Sequence, residues 1–184
     1  MRTLALLLIL LTSCVGRGPV PELGPRFPSP LHRTYVPISR VQRCLASVEA
    51  ETFAAMLIAD GLQERGSLVC HPALVQAAWV RGMSMARYGY FGHTDPWGVT
   101  PNEVAEKAGC RQPWGKGNYI ESIAAGAPIT VLYWNLRNSP DHAAHMFGQG
   151  DFFRGQKDFG IAFVEWPGSS YTYYVVVLIG TCLQ

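Results

Sequence analysis

Residues 91–103 read FGHTDPWGVTPNE, and the sequence on either side of them has a helical pattern. The preceding helix is predicted over 72–88, with a proline in its first position and a glycine-rich break after it. The following helix is predicted over 100–109, where Thr100 and Glu103 form a capping box around another proline. The segment therefore predicts a histidine-bearing turn held between two well-marked helix ends.

Periodicity and capping signals predict the remaining elements around this segment. Further helices are predicted over 45–61, over 131–136 and from Ser139 onward, where a serine precedes a proline. Strands are predicted over 119–124, 159–165 and 171–179, the last two joined by a turn at 167–170. Helices followed by strands predict an α+β domain in which the helices pack on an antiparallel sheet.

The composition favours one well-packed domain over residues 41–184. Hydrophobic residues make up 48% of the chain and charged residues only 15%, so a sizeable core can form. The formal net charge is +2, and the basic residues form no stripe along the sequence. We therefore expect no nucleic-acid partner, because nucleic-acid binding needs a concentrated basic surface.

The N-terminus predicts export. Residues 1–13 have the layout of a signal peptide, in which the positive charge of Arg2 precedes an apolar run over 4–11. That run is too short to cross ~30 Å of hydrocarbon, which takes about 20 residues. The sequence LTSC over 11–14 resembles the cleavage box of bacterial lipoproteins, which predicts a lipid on Cys14. An ordinary signal peptide, followed by secretion, is the alternative.

Residues 14–40 are predicted to be a tether between the lipid and the domain. Six prolines fall between positions 15 and 38, with little apolar periodicity. Proline at that density gives an extended, semi-rigid spacer of ~3.1 Å per residue. The expected location is thus a bacterial cell envelope, with the membrane as a partner through the lipid anchor.

Four cysteines of the domain are predicted to form two disulfides. Cys44, Cys70, Cys110 and Cys182 are widely spaced and include no C-x-x-C pair, so a zinc ribbon is not expected. In an oxidising compartment, four such residues pair with each other. Three pairings are possible, and the spacing does not choose among them.

Four segments in series resemble the CAP superfamily, specifically its bacterial SCP-like branch. The superfamily also includes cysteine-rich secretory proteins, insect venom antigens and plant pathogenesis-related proteins. The similar segments are 91–101 ("F-x-H … G-x-x-P"), 119–124 ("G-E-N-I-A"), 134–146 ("W … S-P-G-H-R-x-x-M/L") and the hairpin that starts at 159 ("I-G-I-G"). The likeness covers about 45–181. It implies a three-layer α-β-α sandwich with an open cleft lined by two histidines and one or two glutamates.

Carried over to this chain, the resemblance builds the cleft from His93, Glu121 and His142. His142 falls in the first turn of its predicted helix, where the positive end of the helix dipole disfavours imidazolium. Glu121 can orient one ring by accepting its N–H. His93 and His142, with Glu121 as a possible third ligand, also form a set suited to zinc or another divalent metal. The structural alternative is that Glu121 and His142 form a hydrogen bond with each other that holds the strand against the helix.

Several positions depart from the family pattern. Ser122 stands in place of the asparagine after the glutamate, and Ala143 in place of the arginine after the second histidine. Arg137 stands where many animal members have a second carboxylate, which counts against a two-acid mechanism. His145, one helical turn beyond the second cleft histidine, and Asp95 are possible extra ligands, although a histidine such as His145 is more often a helix-face residue that binds no ligand.

Two classes of function compete. The first is a non-catalytic binding module whose cleft holds a lipid, glycan, peptide or metal. The second is a metal-dependent or His/Glu hydrolase acting on peptide, lipid or glycan of the envelope. The sequence contains neither a G-x-S-x-G nucleophile motif nor an H-E-x-x-H zinc helix. We therefore expect the binding module. A lipoprotein that contributes only a packing surface is a third possibility.

Overall fold

A computed structural model describes residues 44–183, within which the chain forms six helices and four strands. The helices are α1 Val48–Ala59, α2 Pro72–Tyr88, α3 Pro101–Lys107, α4 Ile129–Arg137, α5 Pro140–Phe147 and α6 Gly150–Arg154. The strands are β1 Val69–Cys70, β2 Glu121–Ala125, β3 Asp158–Glu165 and β4 Tyr173–Gly180. The predicted signal peptide, the lipidated Cys14 and the whole of the predicted tether lie outside the described residues.

The four strands form one sheet in the order β1-β3-β4-β2. β4 pairs antiparallel with both β3 and β2, as expected for a sheet built on the C-terminal hairpin. β1 pairs parallel with β3, so the predicted all-antiparallel sheet is wrong at this edge. β1 is only two residues long, which is too short for any alternation to predict it.

Helices cover both faces of the sheet and make the fold a three-layer α-β-α sandwich. Alternate side chains of β4 point to opposite faces, because successive residues of a strand do so. Val175 and Val177 pack in the core with α1, α4 and α5, whereas Val176 and Leu178 pack in the core with α2 and α3. Nearly every residue of β4 is buried, which suits its run of β-branched and aromatic residues.

The closest packing between layers is that of α2 on β3. A Cβ atom on Gly160 would overlap the backbone of Leu74 and Val75, and one on Gly82 would lie 2.8 Å from Cγ2 of Val164. Glycine at these two positions lets the helix lie directly on the strand. This contact fixes the position of α2, which supplies a buried residue of the candidate site.

Two disulfides select one of the three possible pairings. Cys44 bonds to Cys70, with Cα atoms 6.1 Å apart, and Cys110 bonds to Cys182, with Cα atoms 4.7 Å apart. The first joins the start of the described chain to β1. The second joins the segment after α3 to the segment after β4, so both ends of the described domain are cross-linked.

Two helix ends lie where their capping signals predict. The capping box at Thr100 and Glu103 is formed, and Gly89 ends α2 in the left-handed conformation with a φ of 67°. α6 was not predicted, since a single five-residue turn shows no period. None of the described helices is long and apolar enough to cross a membrane.

Candidate functional site

Glu121 begins the edge strand β2, and its carboxylate is completely buried in an ion pair. Nε of Arg81 donates to Oε1 of Glu121 at 2.8 Å, and Nη2 donates to Oε2 at 3.3 Å. Oε2 also lies 2.8 Å from Nδ1 of His93. The side chain of Glu121 is 0% exposed and that of Arg81 is 1% exposed. Both carboxylate oxygens are therefore committed to partners within the protein.

Arg81 also holds the turn that carries His93. Its Nη2 donates to the backbone carbonyls of Gly92, at 2.6 Å, and His93, at 2.9 Å, while Nη1 donates to the hydroxyl of Tyr90 at 3.0 Å. Burial lowers the pKa of the Arg81 guanidinium, but the hydrogen bond to Glu121 and the nearby negative charges together outweigh burial and hold that pKa above its usual value. One guanidinium thus fixes both the carboxylate and the loop beside it.

Sequence reasoning missed Arg81, although the signal was present. Leu74, Ala78 and Met85 mark the apolar stripe of α2, and Arg81 falls on the same stripe. A lone cation on a buried helix face must find an acceptor, because an unpaired buried charge is strongly unfavourable. Glu121, the glutamate predicted for the cleft, is the acceptor that the buried guanidinium needs.

His142 occupies the first turn of α5, as predicted. Its Nδ1 lies 2.8 Å from Oγ of Ser139, so the serine hydroxyl is hydrogen-bonded to the imidazole ring. The same hydroxyl makes no hydrogen bond to the backbone at the start of the helix. Burial lowers the pKa of His142, the nearby His93 lowers it further, and Asp141 opposes both. The ring is therefore neutral near pH 7, in agreement with the direction expected from the helix dipole.

His145 is fully engaged inside the protein and is not an extra ligand. Nε2 lies 3.3 Å from the carbonyl of Ile179, and Nδ1 lies 2.7 Å from Oγ of Ser122. Since a carbonyl only accepts, Nε2 donates to it and the serine hydroxyl donates to Nδ1. Burial lowers the pKa of His145 to about 3. The hydrogen bond between His145 and Ser122, rather than one between Glu121 and His142, therefore joins α5 to β2.

Asp95 and Arg137 also lie away from the site's chemistry. The Asp95 carboxylate accepts from the backbone N–H groups of Trp97 and Val99 and so stabilises its own turn. Arg137 donates to the Asp60 carboxylate at 2.6 Å, which joins α4 to the end of α1. The position of the second family carboxylate is thus part of a helix–helix ion pair.

A cavity of about 180 Å³ brings the three predicted residues together beside β2. His93, Glu121 and His142 all line it, with Tyr119 and Phe153 as aromatic walls and Asp141 at its margin. The side chain of His93 is 40% exposed, so a ligand can reach it from solvent. Ser122 and His145 line the cavity as well but are themselves buried.

A three-ligand zinc site does not fit this arrangement. Within residues 44–183, no group of three or more His, Cys, Asp or Glu side chains is placed to hold a metal ion. The physical reason is that both oxygens of Glu121 already bind Arg81 and His93. Glu121 is therefore unavailable as the third ligand, and a metal held by His93 and His142 stays a prediction.

The fold is similar to two solved structures. An outer surface protein from Borrelia burgdorferi matches with a TM-score of 0.52 and 17% identity over 73% of this chain and 87% of that chain. An extracellular protein containing a SCP domain, from Bacillus anthracis, matches with a TM-score of 0.53 and 16% identity over 72% of this chain and 40% of that chain. The sequence matches no protein-family model and no curated protein. On the evidence of its layers and these neighbours, the chain has an α+β, CAP-like fold similar to that of an SCP domain.

Proposed function

We propose that this protein is a non-catalytic binding module of a bacterial cell envelope, whose cleft at His93, Glu121 and His142 holds a small ligand or a divalent metal. The observation that carries the proposal is the state of Glu121. Its carboxylate is buried and held on both oxygens by Arg81 and His93. A carboxylate so committed orients an imidazole and stabilises the cleft, but it has no free oxygen with which to attack or to take a proton.

The remaining groups support binding over hydrolysis. Ser122 and His145 form a serine–histidine hydrogen bond, but both side chains are buried. A histidine with a pKa of about 3 is also a weak base, far from the value near the working pH that general-base catalysis needs. The second carboxylate of a two-acid mechanism is replaced by Arg137, which pairs with Asp60.

One observation favours the alternative, a His/Glu hydrolase of envelope peptide, lipid or glycan. A histidine whose Nδ1–H is oriented by a buried carboxylate presents Nε2 as a proton acceptor, which is the usual arrangement of a general base. His93 and His142 line the same cavity, so both could then take part in proton transfer to and from a substrate. This alternative predicts turnover that depends on His93.

The two functions are separated by one experiment. The wild type and the variant H93A/H142A are assayed on peptide, ester and glycan substrates with and without zinc, alongside ligand binding. The matched control is H71A, since His71 lies at the start of α2 and does not line the cavity. We expect the wild type to bind a ligand that H93A/H142A does not bind. We also expect the wild type to turn over none of the substrates faster than H93A/H142A does. Turnover by the wild type and H71A that vanishes in H93A/H142A would overturn the proposal.

The envelope location is a separate part of the proposal. The LTSC sequence over 11–14 supports a lipid on Cys14, and the two disulfides support an oxidising compartment. The two similar structures are those of an outer surface protein and an extracellular protein. We expect Cys14→Ser to move the protein from the membrane fraction to the soluble fraction or to leave its signal uncleaved. Membrane retention of a processed Cys14→Ser protein would contradict the anchor and leave secretion as the reading.

A further inference from the structure

The charges around the cavity restrict what it can hold. Its lining contains no lysine or arginine, and the buried guanidinium behind it, that of Arg81, is already paired with Glu121. A carboxylate or phosphate group of a ligand would therefore find no cation in the lining. Asp141, an exposed carboxylate at the margin, would repel such a group. The cavity is thus unsuited to anionic ligands.

Two side chains of the cavity, His93 and Asp141, offer hydrogen-bond acceptors to a ligand. In the neutral ring of His93, Nδ1 carries the hydrogen that goes to Glu121, so Nε2 is left with a lone pair. The Asp141 carboxylate adds two acceptor oxygens. Hydroxyl groups, which both donate and accept, are the neutral ligand groups that suit such a lining.

An aromatic surface continues from the cavity toward solvent. Tyr119, which lines the cavity, is 44% exposed, and Phe152, outside it, is 42% exposed. Their ring centroids are 6.1 Å apart, and Phe152 also packs on Phe153 in the cavity wall and on Trp114 behind it. Large exposed aromatic rings beside a cavity that contains polar side chains offer apolar faces for a ligand that is apolar on one side and polar on the other.

The ring of Tyr119 packs closely on a glycine. A Cβ atom on Gly117 would lie 3.0 Å from Cε2 of Tyr119, and Gly117 has a φ of +132°, which side chains rarely adopt. The ring therefore lies directly over the glycine backbone. A rigid ring loses little conformational entropy when a ligand stacks on it.

The volume of the cavity suits a ligand group of the size of one sugar ring. At about 30 Å³ of liquid volume per water, a cavity of about 180 Å³ takes the place of a few waters, which is the scale of one sugar ring. It is too small to enclose an acyl chain, and pockets for larger organic ligands are typically ~300–1,000 Å³. A hexopyranose has hydroxyl donors around its edge and an apolar C–H face that stacks on aromatic rings.

We infer that the cleft binds the end of a neutral glycan, with one pyranose ring in the cavity against His93 and Asp141 and the next ring stacked on Tyr119 and Phe152. The inference rests on the proposed binding function and gives it a ligand class. It assigns the aromatic pair Tyr119 and Phe152 a role in affinity, and the acceptors of the cavity a role in selecting neutral ligands.

The test uses maltotriose, cellotriose, mannotriose and chitotriose at millimolar concentration against the oxidised protein, followed by calorimetry and by tryptophan fluorescence. Trp114 is a built-in reporter because its ring centroid lies 4.9 Å from that of Phe152. We expect at least one trisaccharide to bind, and F152A and Y119A each to weaken it by about two- to tenfold, the usual range for one aromatic contact. The matched control is W97A, an exposed aromatic that packs on Tyr88 outside the cavity, which should bind like the wild type.

Three outcomes overturn the inference. Binding of no trisaccharide refutes the ligand class, and binding that F152A, Y119A and W97A leave equally intact refutes the site. A wild type that binds laurate, spermidine or zinc through His93 and His142, but no sugar, keeps the binding function and refutes only the glycan. If none of these probes binds and turnover depends on His93, the proposed function fails as well.

Discussion

The ion pair between Arg81 and Glu121 is expected to contribute strongly to the folding stability of the domain. Arg81→Met keeps the length and apolar stem of the side chain but leaves the Glu121 carboxylate buried without its cation. Breaking a buried pair from one side costs about 3–5 kcal/mol, because the remaining charge is uncompensated. At about 3 °C per kcal/mol for a domain of this size, the melting temperature should fall by about 10–15 °C.

Acid should relieve this penalty, because a proton on the Glu121 carboxylate of the variant removes the uncompensated buried charge. We expect the stability gap between the variant and the wild type to narrow as pH falls.

The measurement is a double-mutant cycle of R81M, E121Q and R81M/E121Q, by urea unfolding with both disulfides intact. The double variant should be more stable than the sum of the single losses implies, with a coupling energy of at least about 2 kcal/mol. A coupling near zero, or an R81M loss below about 1 kcal/mol, would refute the view that this pair holds the base of the cleft. W97A, which removes an exposed ring that packs on Tyr88, is the control for loss of a large side chain.

Three further predictions concern stability. Gly160→Ala should destabilise the domain by about 3 kcal/mol or more, seen as a lower urea midpoint, because the added methyl group meets the backbone of α2; a near-neutral result would show that α2 can shift at little cost. The pKa of His145 is lowered in the fold to about 3, chiefly by burial and also by the charge of Arg65, so the wild type should lose stability as pH falls from about 6.5. His145→Gln should flatten that slope in acid unfolding curves, and an unchanged slope would exclude His145 as its source. Replacing Cys110 and Cys182 with alanine should lower the free energy of unfolding by about 2–5 kcal/mol, whereas an unchanged melting temperature would argue against this cross-link.

Much of the fold was predictable because its helices carry strong local start signals. Proline in the first helical position marks α2, α3 and α5, and the structure places all three starts as predicted. β4 was predictable from its β-branched run, although it begins at Tyr173 rather than at 171 because the preceding turn extends further. β1 and α6 could not be predicted, since two and five residues carry no measurable period.

The resemblance named three residues for the cleft, but the hydrogen bonds that each of them makes were not predictable from the sequence. The resemblance brought His93, Glu121 and His142 to one cleft, and the structure places all three on one cavity. Which acceptor each donor uses depends on distances that arise only when α2, α5 and β2 pack together. The sequence therefore offered Glu121 as a metal ligand and overlooked Arg81, whose presence removes that option.

The bond between Cys44 and Cys70 bears on how the domain would carry mechanical load. Any pull on the chain before residue 44 reaches the disulfide first and passes through it into β1, which is paired with the central sheet. α1 lies inside the closed loop of this cross-link and is therefore shielded from the force. The domain can thus be pulled from its N-terminal side without unwinding its first helix, until a reductant opens the loop and α1 becomes the first element under tension.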